Sequence, residues 1–146
     1  MQKIIAVVGG REVPSELLKV AFEVGKGIAE RGYTLVCGDM GGAMEEACRG
    51  AKSAGGLTIG ILPGPAKSDA NPYVDIPILT SMSHARNAIV VRTADAVIAI
   101  GGKYGTLSEI SLALAISRKV VGIKTWEISG VKMVSTPEEA FKELGI

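Results

Sequence analysis

The chain has 146 residues, a length typical of one domain, with 16 Lys and Arg residues against 15 Asp and Glu residues. The net charge of +1, without runs of like charge, gives no electrostatic support for binding nucleic acid or a membrane surface. With a single histidine and two cysteines outside metal-ligand spacing, we predict no metal site.

The N-terminal apolar run, Ile4 to Val8, is too short for a signal peptide, and no apolar stretch is long enough to span a bilayer. We therefore expect a cytoplasmic protein. Cys37 lies in a predicted strand and Cys48 in a predicted helix. We predict that both are buried structural thiols and not a redox pair.

Short apolar runs alternate with stretches whose apolar residues recur at helical spacing. The runs predict strands at 3–8, 33–37, 57–62, 76–80, 95–100 and 120–123, and a short edge strand at 131–134. The periodic stretches predict helices at 14–31, 43–54, 106–117 and 137–144, and a further helix that follows residues 81–87 and ends near residue 93. The alternation predicts an α/β fold, a single-domain Rossmann-like doubly wound parallel sheet of six or seven strands with helices on both faces.

Glycine-rich or polar segments follow several of these strands. We expect the strand order 3-2-1-4-5-6, in which ligands bind where the winding reverses, between the first and fourth strands. Gly9 and Gly10 would follow the first strand, residues 81–86 the fourth, and residues 101–106 the fifth, so that all would rim one crevice. Gly41 and Gly42 form a further glycine-rich end after the second strand.

The stretch from Asp95 to Lys119 is the predicted centre of function. Its buried strand ends at Gly101-Gly102-Lys103-Tyr104-Gly105, and Thr106 is a natural N-cap for the next helix. Free amides and the positive dipole end of that helix would form an anion site. The turn matches neither the G-x-G-x-x-G pattern of dinucleotide folds nor the phosphate loop.

Glu109 and Arg86 each allow a structural and a functional interpretation. Thr106-Leu107-Ser108-Glu109 fits a capping box, which spacing alone favours over a catalytic carboxylate. Arg86 is expected in the first turn of its helix, where a cation is unfavourable unless an anion is nearby. Pairing of Arg86 with Glu109 or with a backbone carbonyl is an equal alternative.

Other polar and aromatic residues also keep two interpretations. Lys103 could reach a phosphate or be solvated, and Tyr104 could stack on a ring or cover the turn. Asp39 could bind ribose hydroxyls or cap a loop, and His84 could exchange protons or lie at the surface. The proline-containing loop 63–72 fits a lid, a binding loop or a surface excursion.

The glycine turn with Thr106 and Glu109, the upstream Arg86, and Gly41-Gly42-Ala43-Met44 resemble the superfamily once labelled "possible lysine decarboxylase". That superfamily includes the cytokinin-activating Lonely Guy phosphoribohydrolases, and the resemblance extends over nearly the whole chain. Within it, Gly9-Gly10-Arg11, Arg86-Asn87 and Thr125-Trp126 resemble the short branch that includes the molybdenum cofactor carrier proteins.

The resemblance implies that Gly102, Gly105 and Thr106 bind a phosphate, while Arg86 and Glu109 face the ribose and its glycosidic bond. The remaining ligand-contact candidates are the glycines at the other strand ends, Gly9, Gly10, Gly41, Gly42 and Gly101. Three departures weaken the expectation of a hydrolase without removing a nucleotide site. Ile100 replaces a proline, Asn87 replaces a lysine, and Asp39-Met40 interrupts the glycine run.

We therefore expect a binding protein for a phosphate-bearing, nucleotide-like ligand, such as a molybdopterin-type cofactor. A nucleoside 5′-monophosphate phosphoribohydrolase with Arg86 and Glu109 as catalytic residues is the alternative. No cofactor is expected to be required, and since no lysine is identifiable as a Schiff base for pyridoxal phosphate, we expect no decarboxylase.

The helix after Thr106 is apolar around most of its circumference. One apolar face would cover the sheet, and the other would remain exposed in a monomer. We expect a homodimer or homotetramer, and neither nucleic acid nor a membrane as a partner. The apolar residues are Leu107, Ile110, Leu112, Ala113, Leu114, Ala115 and Ile116.

Overall fold

The computed structural model describes residues 3–38 and 40–146, which form alternating strands and helices. The strands are β1 (Ile4–Gly9), β2 (Thr34–Cys37), β3 (Thr58–Leu62), β4 (Ile76–Leu79), β5 (Ala96–Ile100), β6 (Lys119–Ile123) and β7 (Val131–Met133). The helices are α1 (Ser15–Glu30), α2 (Ala43–Ser53), α3 (Asn87–Thr93), α4 (Tyr104–Ala115) and α5 (Pro137–Leu144). Short 3-10 turns span Lys67–Asp69 and Ser83–Arg86.

The strands form one parallel seven-stranded sheet in the order β4-β3-β2-β1-β5-β6-β7. The predicted α/β class, doubly wound topology and parallel direction are confirmed. The predicted strand order is wrong, because the neighbour of β1 is β5, in a register from Ile5↔Ala96 to Gly9↔Ile100. The winding therefore reverses between β1 and β5, and β4 lies at the edge.

The burial of β5, and the exposure and proline of β4, explain that order. Every residue of β5 is buried, as a central strand covered on both faces requires. In β4, Ile76, Ile78 and Leu79 are exposed, and Pro77 has no amide to donate to a further strand. These features place β4 at the sheet edge. The segment that follows β4 must therefore pass the ends of β3 and β2 to reach the central crevice.

Helices cover both faces of the sheet, in two separate cores. On one face α1, α2 and α5 pack with residues such as Val7, Leu35 and Ile98. On the other, α3 and α4 pack with Val8 and Val97. Alternate residues of the central strands thus enter opposite cores, as the strand period of two requires.

The N-terminus of α4 does not have its predicted cap, whereas the N-terminus of α5 has a side-chain cap. The N-cap position of α4 is occupied by Lys103, without a side-chain cap, so Thr106 lies inside the first turn. The predicted cap at Thr106 is therefore wrong. In α5 the Thr136 hydroxyl does accept from the Glu139 amide, at 3.2 Å, with Pro137 in the first turn.

The two cysteines are buried, as predicted, and their Sγ atoms lie 3.6 Å apart. The spacing leaves them as two thiols in the core between β2 and α2. Among the residues that the structure describes, no helix is long and apolar enough to cross a membrane.

Helices α1 and α2 approach each other more closely than any side chain would permit. A Cβ on Gly25 would lie 1.8 Å from the carbonyl oxygen of Ala47, and one on Gly50 would lie 2.0 Å from that of Phe22. Backbone atoms are the obstacle, so the helices would have to move apart to accept a side chain. Positions 25 and 50 are thus restricted to glycine.

We predict that Gly25→Ala lowers the free energy of unfolding by about 1–3 kcal/mol or more, because overpacking against backbone cannot relax by side-chain rotation. Gly105→Ala is the control, since its added Cβ would meet no atom within 4 Å. Because position 105 is helical, we expect Gly105→Ala to raise the free energy of unfolding by zero to about 1 kcal/mol. Urea denaturation of the three proteins measures both effects, and equal free energies for the two variants would contradict the close-packing argument.

Candidate functional site

A crevice of about 360 Å³ lies at the carboxyl ends of the central strands, beside the reversal between β1 and β5. Open α/β sheets bind their ligands at this position. Six of the ten predicted site residues line it. They are Gly9, Gly10, Arg86, Gly105, Thr106 and Glu109.

The other four predicted glycines shape the loops around the crevice. Gly101 and Gly102 have φ values of 58° and 94°, and a Cβ on Gly102 would lie 2.0 Å from Thr106 Oγ1. Gly42, with φ 57°, packs against the backbone of Arg11, where a Cβ would lie 2.2 Å from its carbonyl oxygen. Gly41 lines a neighbouring cavity. Ligand contact by any of the ten residues stays a prediction.

The N-terminus of α4 forms one wall of the crevice. Gly105 and Thr106 lie in its first turn, where amides have no intrahelical partner, and the intrahelical ladder starts with Leu107 N donating to Lys103 O at 3.0 Å. A Cβ on Gly105 would enter open space, so the backbone here is accessible to a ligand. These features, with the positive end of the helix dipole, are the ones that suit a surface to an anion.

Arg86 lies in the 3-10 turn before α3, not in the first turn of the helix as predicted. Its side chain is buried, and its Nε donates to Ile61 O at 3.0 Å and its Nη2 to Gly38 O at 3.3 Å. Nη1 donates to Asn87 Oδ1. Of the alternatives predicted for Arg86, pairing with backbone carbonyls is thus observed. These hydrogen bonds fix the guanidinium beneath the ends of β2 and β3, at the crevice.

Glu109 does not form the predicted capping box, because α4 begins before Thr106. The residue is only 5% exposed, and Oε2 has no hydrogen-bond partner among the described residues. Burial raises the pKa of the Glu109 carboxyl to about 8, and the nearby charge of Arg86 opposes this rise. Glu109 is therefore a mostly protonated acid at neutral pH, directed to the crevice.

Lys103 and His84 also line the crevice, as their functional interpretations require. Tyr104 is 79% exposed, and its ring lies 6.0 Å from that of Trp126, whose Nε1 donates to Lys103 O at 2.9 Å. Tyr104 and Trp126 thus cover the outside of the glycine turn. The prediction for Asp39 lies outside the described residues.

Five lining residues were missing from the predicted set: Arg11, Glu12, Met40, Met44 and Asn87. Arg11 and Glu12 directly follow Gly9-Gly10, so their position after β1 was a usable signal. Arg11 Nε donates to Met40 O at 3.3 Å, which links the segments that follow β1 and β2. Nothing in the apolar periodicity of α2 separates the crevice residue Met44 from the core residues around it.

We predict that Glu109→Gln raises the free energy of unfolding, and that the gain grows by roughly 3 kcal/mol between pH 5 and pH 8. The unfolded carboxyl releases its proton near 4.5 and the folded one near 8, so the parent loses stability across that window. Above pH 8 the difference should become constant. Urea denaturation at several pH values measures this difference in the free energy of unfolding.

Glu46→Gln is the control, since Glu46 pairs with Arg49 at 2.8 Å and its pKa is lowered. A gain for Glu109→Gln that does not change with pH would contradict the raised pKa.

The profile of the SLOG cluster4 family matches residues 2–144. A protein from Archaeoglobus fulgidus is 46% identical over 137 residues, which are 93% of this chain and 90% of that protein. The structure of the molybdenum cofactor binding protein from Rippkaea orientalis is similar with a TM-score of 0.93 and 37% identity. That similarity covers 99% of this chain and 96% of the other.

The cytokinin riboside 5′-monophosphate phosphoribohydrolase of Mycobacterium tuberculosis is 39% identical over 101 residues. The match covers 66% of this chain but 53% of the enzyme, so the chain aligns with about half of that relative. The resemblance to the Lonely Guy superfamily and to its short branch is thereby confirmed. Because its profile spans all but the first residue and the last two, the chain belongs to the SLOG cluster4 family.

Proposed function

We propose that this protein binds a phosphate-bearing, nucleotide-like ligand, and that a molybdopterin-type cofactor is one such ligand. The observation that carries the proposal is the convergence of the α4 N-terminus and the buried Arg86 on one crevice at the reversal of the sheet. The similarity to the Rippkaea orientalis molybdenum cofactor binding protein over nearly the full length of both chains supports it.

The phosphate would lie against the first turn of α4. Amides of Gly105 and Thr106 would donate to its oxygens, and the Lys103 ammonium, beside them on the crevice wall, would add a charge. The missing side chain at Gly105 allows close approach of the phosphate to the backbone. All of these groups belong to a single turn at the start of α4.

Arg86 and Glu109 would contact the part of the ligand next to the phosphate. Hydrogen bonds to Ile61 O, Gly38 O and Asn87 Oδ1 hold the guanidinium in place, so its positive charge is fixed before the ligand arrives. A protonated Glu109 would donate one hydrogen bond to a ligand oxygen and would not repel a nearby phosphate. This combination favours retention of an intact anionic ligand.

Hydrolysis of a nucleoside monophosphate is the second candidate function, supported by the 39% identity to the Mycobacterium tuberculosis enzyme and by the presence of Arg86 and Glu109 in one crevice. Cleavage of the glycosidic bond develops a cation-like sugar, which an ionised carboxylate stabilises and a protonated one does not. With a pKa of about 8, Glu109 is mostly in the unsuitable form at neutral pH. We therefore rank binding ahead of hydrolysis.

The binding proposal predicts that adenosine monophosphate binds more tightly than adenosine at pH 7, because only the monophosphate engages the α4 turn. Gly105→Val should remove this preference while the protein stays folded. The valine would fill the crevice at a helical position and would not strain the backbone. Isothermal calorimetry with both ligands, and a melting temperature for the variant, measure these outcomes. Equal affinities for nucleoside and monophosphate in the parent would overturn the proposal.

The hydrolase alternative predicts release of free base, with a rate that rises as pH approaches 8 and Glu109 ionises. Glu109→Gln should then abolish release while binding persists. Chromatography of monophosphates incubated with parent and variant detects the base. A parent that binds a monophosphate but releases no base from any common one would support the binding function. Full hydrolysis by Glu109→Gln would remove Glu109 from the mechanism.

We also propose self-association through the outer side of α4. Ile110 and Ala113 face the sheet, whereas Leu112 is 37% exposed and Leu107 and Leu114 are partly buried. Leu112→Lys should therefore shift a dimer or tetramer toward monomer in sedimentation at micromolar concentration. Leu57→Lys changes a similarly exposed leucine, 44% exposed, outside α4, and should leave assembly unchanged. A monomeric parent at that concentration would contradict self-association.

A further inference from the structure

Glu109 is a buried acid that lines the crevice from the inner side of α4, one turn beyond Gly105 and Thr106. Its Oε2 has no hydrogen-bond partner among the described residues. An ionised carboxylate in this position lacks the donors that would replace its hydration. The carboxyl therefore binds a proton more strongly whenever its surroundings become drier or more negative.

The charged groups near Glu109 come from several segments of the chain. Arg86 is the charged group that acts on the carboxyl, whereas the strand residues in the core beneath α4, such as Val8 and Val97, are apolar. Arg92, the basic residue of α3, is exposed in the last turn of that helix. The other charged or titratable side chains that line the crevice are Arg11, Glu12, His84 and Lys103. Arg86 is thus the group whose charge opposes protonation of Glu109.

An anionic ligand would change these surroundings in three ways that act in the same direction. It would displace water from the crevice, it would bring negative charge close to the carboxyl, and it would offset the charge of Arg86. The guanidinium is held by hydrogen bonds to Ile61 O, Gly38 O and Asn87 Oδ1, so it stays beside the ligand. All three changes favour the protonated carboxyl, whatever the pH at which it titrates in the ligand-free protein.

We propose that this protein takes up a proton when it binds an anionic ligand, and that Glu109 holds the proton in a hydrogen bond from Oε2 to a ligand oxygen. The proton passes from solvent to the ionised carboxylate, so no bond of the ligand is made or broken. The inference rests on the proposed function, because the anion of that ligand supplies the change in charge. Affinity is then linked to pH, since a complex that holds an additional proton weakens as the pH rises.

The proton also protects the ligand from cleavage. A protonated Glu109 is unable to stabilise the cation-like sugar that develops when a glycosidic bond breaks. Binding of the anion therefore suppresses the ionised form of the one carboxyl that would favour cleavage. Retention of the ligand at neutral pH and its release at higher pH follow from the same proton.

Isothermal calorimetry with AMP counts the protons. Titrations at pH 8.5, in two non-phosphate buffers of different ionisation enthalpy, give the number of protons taken up per bound AMP. At this pH the phosphate of AMP is already a dianion, so it contributes no proton of its own. With a pKa of about 8 for Glu109 in the ligand-free protein, we expect uptake of about 0.8 proton. The affinity for AMP should fall about tenfold between pH 7 and pH 9.

Three variants assign the proton. Glu109→Gln should bind AMP without proton uptake and lose most of the pH dependence, because its amide is neutral and still offers a donor. Glu12→Gln is the matched control, since it removes an acid from an exposed position on the same crevice, and it should keep the proton number of the parent. His84→Gln should also keep it, although histidine is the side chain that ordinarily exchanges protons near neutral pH. A melting temperature for each variant verifies that it is folded, and the proton number of the parent needs no variant.

The inference and the proposed function fail in different ways. If the parent binds AMP more tightly than adenosine but takes up no proton, the inference is overturned and the phosphate site stands. Release of a proton would also overturn it, because the ligand would then donate a hydrogen bond to an ionised Glu109. Uptake that persists in Glu109→Gln, or that disappears in His84→Gln, would overturn the assignment to Glu109. Equal affinities for AMP and adenosine would overturn the proposed function itself.

Discussion

The buried guanidinium of Arg86 is the constraint on which the site depends. A charge taken out of water is costly unless hydrogen bonds replace its hydration, and carbonyl oxygens of Ile61 and Gly38 supply them. Those carbonyls lie at the ends of β3 and β2, so Arg86 ties the segment after the edge strand β4 to the middle of the sheet. The same bonds bring a positive charge to the crevice, and they explain how residues that follow β4 reach a site centred between β1 and β5.

The neighbouring Glu109 depends on this arrangement. Its burial on the inner side of α4 raises the pKa, and Arg86 only partly offsets that rise. The carboxyl therefore keeps its proton at a stability cost that a solvent-exposed glutamate would not carry. Residues that lower stability in this way are concentrated at functional sites, because selection for function retains them. The proposed ligand contact of Glu109 is therefore supported more by Oε2, which has no partner among the described residues, than by the position of Glu109 in the sequence.

Sequence patterns predicted the fold class, most element positions and the main wall of the site, because they depend on local periodicity and on glycine turns. The strand order was not predictable in the same way. It followed from the exposed side chains and Pro77 of β4, which distinguish an edge strand only once the burial of β5 is compared with it. The capping box at Thr106 failed because spacing cannot separate a cap from a residue two positions inside a helix. Within the glycine turn, Gly101 and Gly102 have positive φ values and Gly105 does not, a difference that the spacing of the glycines does not predict.

The geometry also bears on why one scaffold accommodates both retention and cleavage of nucleotide-like ligands. For this chain, both candidate functions would use the proposed phosphate site at the α4 N-terminus with Arg86 beside it. We propose that they differ in the protonation of Glu109, because cleavage needs an ionised carboxylate and retention does not. Burial by α4 raises the pKa of Glu109 to about 8, and the charge of Arg86 opposes that rise. A small change in the packing of α4 would therefore alter the pKa of Glu109 without moving the proposed phosphate site.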